Sequence, residues 1–149
     1  MDQIDRKLLQ ILSENAAATA TEMVPQVNLS IPAINKRIQK LQKSGVIRRF
    51  TIQVDPAKVG KPICAYVFVV LQSTSFMDAL ISYANSNADV LELSAITGEY
   101  DCLLKVCAQS IERLDEIFLH LKKNLGIAKS NTMLSLTNYK FSPTILPND

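Results

Sequence analysis

The stretch AITGEYDCLLKV, residues 95–106, sets Gly98, Glu99, Tyr100 and Asp101 between two apolar runs. Paired carboxylates can act as a general acid and base, or they can accept hydrogen bonds from a ligand's ammonium group. They can also do neither and form a polar hairpin tip. Acid–base catalysis needs further chemistry close by, such as an imidazole, a nucleophile–base pair or metal ligands. The single histidine, His120, lies in a segment with the spacing of a helical core and reads as a surface or interface residue. No metal-ligand spacing accompanies the acids, so the sequence gives no support for an enzyme and calls for no cofactor. The three cysteines, Cys64, Cys102 and Cys107, cannot all pair and form no CxxC. They are expected to be reduced, as in a cytoplasmic protein.

A second set of reactive groups is cationic. Residues 28–50 hold Lys36, Arg37, Lys40, Lys43, Arg48 and Arg49 and no acid. The net charge of +2 conceals a division: residues 1–61 carry ten basic and five acidic side chains, and residues 62–149 carry six and nine. A basic half suits a polyanion such as nucleic acid, and the other half is left for another task. No run approaches the ~20 apolar residues of a membrane helix. The opening MDQIDRKLL has no apolar signal core, and a cytoplasmic location without membrane contact is expected.

These side chains need elements to hold them. Ile4, Leu8, Ile11 and Leu12 follow one face of a helix over about residues 3–14, with Asp2 as N-cap. Thr19 could cap a second short helix, although Pro25 would lie beyond its first turn, so that helix starts later or is distorted. VNLSIPAINKRIQKLQKSGVI is clearer. Asn28 tolerates the left-handed conformation that ends a helix, and Ser30 is an N-cap with Pro32 in the first turn. Ile31, Ile34, Ile38 and Leu41 form the apolar stripe, and Gly45 stops the helix. The extended segment VIRRFTIQVD follows. A short helix, a tight turn and a capped basic helix form a helix-turn-helix, and the following strand suggests its winged variant. Ser30, Pro32, Ala33, Asn35 and Lys36 sit where bases are read, while Arg37, Lys40, Lys43, Arg48 and Arg49 can neutralise phosphates of double-stranded DNA.

Beyond a turn-rich junction, 55–62, the order of elements is β-α-β-β-α-β. The strands are expected at 63–71, 90–97, 102–108 and 132–140. One helix, capped by Thr74 or Ser75, carries Phe76, Leu80, Ile81 and Ala84. Another, capped by Ser110 and ended by Gly126, carries Leu114, Ile117, Phe118, Leu121 and Leu125. This is the ferredoxin-like arrangement. In the first strand both Val67, Val69 and Leu71 and the alternate Tyr66, Phe68 and Val70 are apolar, so the sheet face without helices is expected to be buried in a dimer. The fold class is α+β: a winged helix-turn-helix domain over 1–61 followed by a ferredoxin-like domain over 62–149.

The chain resembles the leucine-responsive/asparagine-responsive (Lrp/AsnC) transcription regulators over nearly its whole length. IDRKLLQIL, VNLSIPAINKRIQKLQKSGVI, FTIQVDPAKVG, TGEYDCLLKV and LGIAKSNTMLSL carry the resemblance, in the family's order. The sequence departs from it at Gln42, where Glu is common, and at Val24-Pro25 in the second helix. The resemblance implies a DNA-binding regulator that forms homodimers and often octamers, with an amino-acid effector held between subunits. It assigns the effector to the turn of Thr97, Gly98, Glu99, Tyr100 and Asp101, and to Ser130, Asn131 and Thr132 on the last strand. A zwitterion needs donors for its carboxylate, which backbone N–H groups near Gly98 could supply, and an acceptor for its ammonium, Asp101 or another acid. The competing reading for Asp101 is a hairpin residue bonded to its own backbone, and for Tyr100 a ring packed on the sheet or interface. A co-regulator that has lost DNA binding is the alternative function.

Overall fold

Helix formation in the first third is written in reciprocal caps. In the computed structural model, which describes residues 1–147, Asp2 Oδ1 accepts the Asp5 N–H at 2.8 Å and the Asp5 carboxylate accepts the Asp2 N–H at 3.3 Å. This capping box starts α1, Gln3–Glu14. Thr19 and Glu22 form a second box that starts α2, Ala20–Val27. The helix neither begins late nor breaks at Pro25, which lies inside it and exposed. Eight residues are few enough that a lost bond near the far end leaves the first turn intact. Asn28 ends α2 at φ 58°, and α3 runs Ile31–Lys43. Ser30 occupies the N-cap, but its side chain makes no cap hydrogen bond.

Leu8, Met23 and Ile34 are fully buried where the three helices meet, with Ile11, Leu12 and Val27 around them. Each fully buried side chain of this kind contributes about 1.5–3 kcal/mol relative to exposure. Ile31, expected in the apolar stripe, is instead 41% exposed at the start of α3. Residues 48–53 and the following 54 and 55 carry no strand. An extended segment becomes a strand only with a ladder partner, and none is present among the described residues. Met1–Gln53 groups with the segment that begins at Lys140 as one compact unit, and Val54–Tyr139 is the other. Asn148 and Asp149, within the expected second domain, lie outside the described residues.

The second unit is an antiparallel sheet of β1 (Ile63–Leu71), β2 (Val90–Ala95), β3 (Cys102–Ala108) and β4 (Ile127–Leu134) in the order β2-β3-β1-β4. Two helices, α4 (Met77–Ser86) and α5 (Ile111–Asn124), cover one face. Ser73 caps a 3-10 turn, Thr74–Phe76, and α4 begins only after it, later than either expected cap. Ala65, Val67, Val69, Leu104 and Val106 are wholly buried beneath Leu80, Leu114, Ile117 and Leu121. The alternate residues of β1 remain open, with Tyr66 37% exposed.

β4 begins five residues earlier than expected. Gly126 turns the chain at φ 59°, so the strand starts at once, and residues 135–140 lie beyond it. Cys64 and Cys107 form a disulfide, contrary to the expectation of free thiols, and only Cys102 is free. They are 43 residues apart in sequence yet face each other in the β1–β3 register. The Cys64 C=O accepts from Ser135 and the Cys107 N–H donates to Asp89, each away from the other strand. That makes them a non-hydrogen-bonded pair, whose side chains approach most closely across a ladder.

Candidate functional site

The solvent face of α3 gathers the cationic residues. Pro32, Asn35, Lys36, Lys40 and Lys43 are exposed, as are Arg48 and Arg49 beyond the helix, and Ala33 is half-buried. None of these cations forms an ion pair among the described residues, so their charges are available to an anion. Ser30, without a cap bond to make, keeps its hydroxyl free at the same end.

Arg37 differs. Its Nη1 donates to Asp2 Oδ2 at 2.6 Å and to Asp5 Oδ1 at 2.8 Å. The arginine thus ties α3 to the capping box of α1. The Asp2 carboxyl sits below its ordinary value, held there by the Asp5 N–H and then by Arg37, and the Arg37 guanidinium is pushed up by both acids. The sequence reading missed this contact because Asp2 and Asp5 were counted only as helix-start acids. The exposed face therefore holds five committed-to-nothing cations from the six in residues 28–50.

The turn between β2 and β3 is the second candidate. Gly98 has φ 112°, and no atom lies within 4 Å of where a Cβ would stand. Within this chain its lack of a side chain serves the turn rather than a close approach. Asp101 is tied to the neighbouring strand: its N–H donates to Val69 C=O at 2.9 Å, and its Oδ2 accepts the Leu71 N–H at 2.8 Å. The β1–β4 register slips between Val70 and Leu71, and the Asp101 carboxylate takes the Leu71 amide there.

Glu99 and Tyr100 turn to Lys129, a residue the sequence reading missed. Lys129 Nζ lies 3.3 Å from Glu99 Oε2 and 4.9 Å from the Tyr100 ring centre, and Tyr100 packs on Phe68 with ring centres 5.5 Å apart. Hydrogen bonding to Glu99 leads the causes that raise the Lys129 ammonium. Register explains the grouping. Lys129 and Asn131 oppose Val70 and Phe68 on the open face, whereas Ser130 and Thr132 oppose Val69 and Val67 on the helix-covered side. Asn131 thus shares the face of Tyr100, and its two neighbours do not. The strand's parity was the signal, once its start was placed at Ile127.

Between α4 and β2 lies a cleft of about 280 Å³, lined by Met77, Ile81, Leu91, Leu93 and Cys102 among others. It includes none of the turn residues Gly98 to Asp101. No group of side chains suited to a metal ion occurs among the described residues, and no helix there is long and apolar enough to cross a membrane.

A helix-turn-helix with a basic outer face, followed by a ferredoxin-like unit, defines a DNA-binding transcriptional regulator with a regulatory rather than catalytic second domain. Comparison agrees: residues 1–48 match the winged helix-turn-helix DNA-binding family, and residues 64–145 match the Lrp/AsnC ligand binding domain. The chain belongs to the Lrp/AsnC family. It is 30% identical over 141 residues to the HTH-type transcriptional regulator FL11 of Pyrococcus horikoshii, covering 94% of this chain and 92% of that one. The structure of Escherichia coli AsnC is similar with a TM-score of 0.87, at 26% identity over 99% of both chains. A Neisseria meningitidis transcriptional regulator solved in complex with L-Met has a TM-score of 0.91 over 97% of this chain and 96% of that one. At 24% identity, that likeness is one of fold.

Proposed function

We propose that this protein is a sequence-specific regulator whose DNA affinity is modulated by an amino acid bound at the Gly98–Asp101 turn. Two copies associate through the open faces of their sheets, and higher assemblies such as octamers build on that dimer. The effector lies between subunits, and the protein works in the cytoplasm, where its DNA is. The exposed face of α3, cationic and free of acid, carries the DNA-binding half of this reading. A major groove admits one helix, and unpaired cations on its outer face release counterions from phosphates. The amino-acid half is supported by the ligand-binding domain match and by the L-Met bound to the Neisseria meningitidis protein. An effector can alter DNA affinity only by binding one assembly or orientation better than another.

The test of DNA binding reverses Lys36 and Lys40 to Glu and leaves Arg37 in place, because Arg37 holds α1. Anisotropy with DNA from the protein's own promoter region is expected to show at least about tenfold weaker binding for the variant. Its log–log salt slope should fall by about 2, one for each lost phosphate contact. Unchanged affinity would assign the chain to the co-regulators without DNA binding. The effector is sought by melting the protein with each of the twenty amino acids, since a ligand that binds only the folded state raises the melting temperature.

A further inference from the structure

We propose that Glu99 and Lys129 are the effector's charge-recognition pair: Glu99 takes its α-ammonium and Lys129 its α-carboxylate. This rests on reading the turn as the effector site. In the chain alone the two side chains satisfy each other at 3.3 Å, the internal pair standing where a zwitterion's two poles would bind. Such a pair is inexpensive to open. Both side chains are more than half exposed, 57% and 70%, and exposed ion pairs contribute little. The acid that seemed the natural ammonium acceptor, Asp101, is committed to the Leu71 amide, and withdrawing it would orphan a strand N–H. Glu99 is then the one carboxylate of the turn without a backbone duty.

Lys129 has no backbone duty either, and its ammonium lies over the Tyr100 ring, which is itself braced by Phe68. The rings give the cation a fixed side from which to meet a carboxylate. The chemistry names the ligand class. A free α-amino acid satisfies both residues. A 2-oxo acid satisfies only Lys129, and an amine only Glu99, so each leaves one charge without its partner.

The experiment measures binding of each of the twenty L-amino acids to the full-length wild type by calorimetry, then of the amide and the N-acetyl derivative of the tightest one. Removing either pole is expected to weaken binding by about tenfold or more, the range of a charged hydrogen bond. In Lys129→Met the amide should bind as well as the parent amino acid, and in Glu99→Gln the N-acetyl derivative should do so. Lys129→Arg should keep the preference for the free carboxylate. Melting without ligand confirms that each variant folds. If the wild-type preferences persist in both variants, the assignment of Glu99 and Lys129 is overturned while the effector site stands. If no amino acid binds the wild type, the effector reading falls and the assignment with it.

Discussion

Asp101 illustrates how one side chain can seem to serve a ligand while serving the fold. Its carboxylate accepts the Leu71 N–H at the register slip of β1. Asp101→Ala is therefore expected to cost about 1 kcal/mol of stability, read by denaturant unfolding, and Asp101→Asn, which keeps an acceptor oxygen, should recover most of it. If Asn restored stability but not the effector response, a direct ligand contact would be indicated. Asp89 is the second such residue, nearly buried between Lys61 at 2.7 Å and Arg113 at 2.8 Å. Burial alone would raise its pKa, but the two cations more than offset this and leave it lowered. A lowered folded-state value means that its stabilisation is present above the unfolded aspartate pKa and is lost as pH falls through the folded one. Melting from pH 7 down to pH 3 should show a steep fall below about pH 4, shallower in Asp89→Asn. The chemistry of these acids was visible in the sequence, but their partners were not. Asp101 meets Leu71 and Arg37 meets Asp2 across about 30 residues of chain, and only the folded register brings them together.

Elements read well from the sequence where a local signal was complete. The start of α3 combined a left-handed Asn28, a cap position and Pro32, and the helix lies where that pattern put it. β4 read poorly because its apolar residues are sparse and its middle is polar, so alternation gave no starting point. Gly126 held the missing information. Its φ of 59° follows α5 directly, and a Cβ there would lie 2.4 Å from the Phe76 ring. Gly126→Ala is expected to destabilise the protein by about 1–3 kcal/mol through backbone strain and displacement of that ring. Chemical denaturation of the variant measures the cost. The segment VIRRFTIQVD read as extended, and extended it is, but without the ladder that would make it a strand. Pairing is a property of two segments, and one segment's composition does not report it.

At the scale of the molecule, the charge division of the sequence follows the two families matched, a basic DNA-binding region and an acidic ligand-binding one. The open face of the sheet, with Tyr66 37% exposed, and the unladdered Phe50, Ile52 and Val54, 44%, 83% and 53% exposed, are apolar surfaces that a second copy would cover. Folding and association are then one equilibrium, and the melting temperature should rise with protein concentration by roughly 2–4 °C per tenfold. A melting temperature independent of concentration from 1 to 100 µM (about two decades, by calorimetry) would mean that the surfaces stay bare. The alternating apolar side chains of that unladdered segment carry a cost during synthesis. A newly made chain displays an open edge until it meets its like, so its survival depends on how many sister chains are present. Gene dosage thus becomes a determinant of the protein's half-life, and scarce copies should be degraded disproportionately fast.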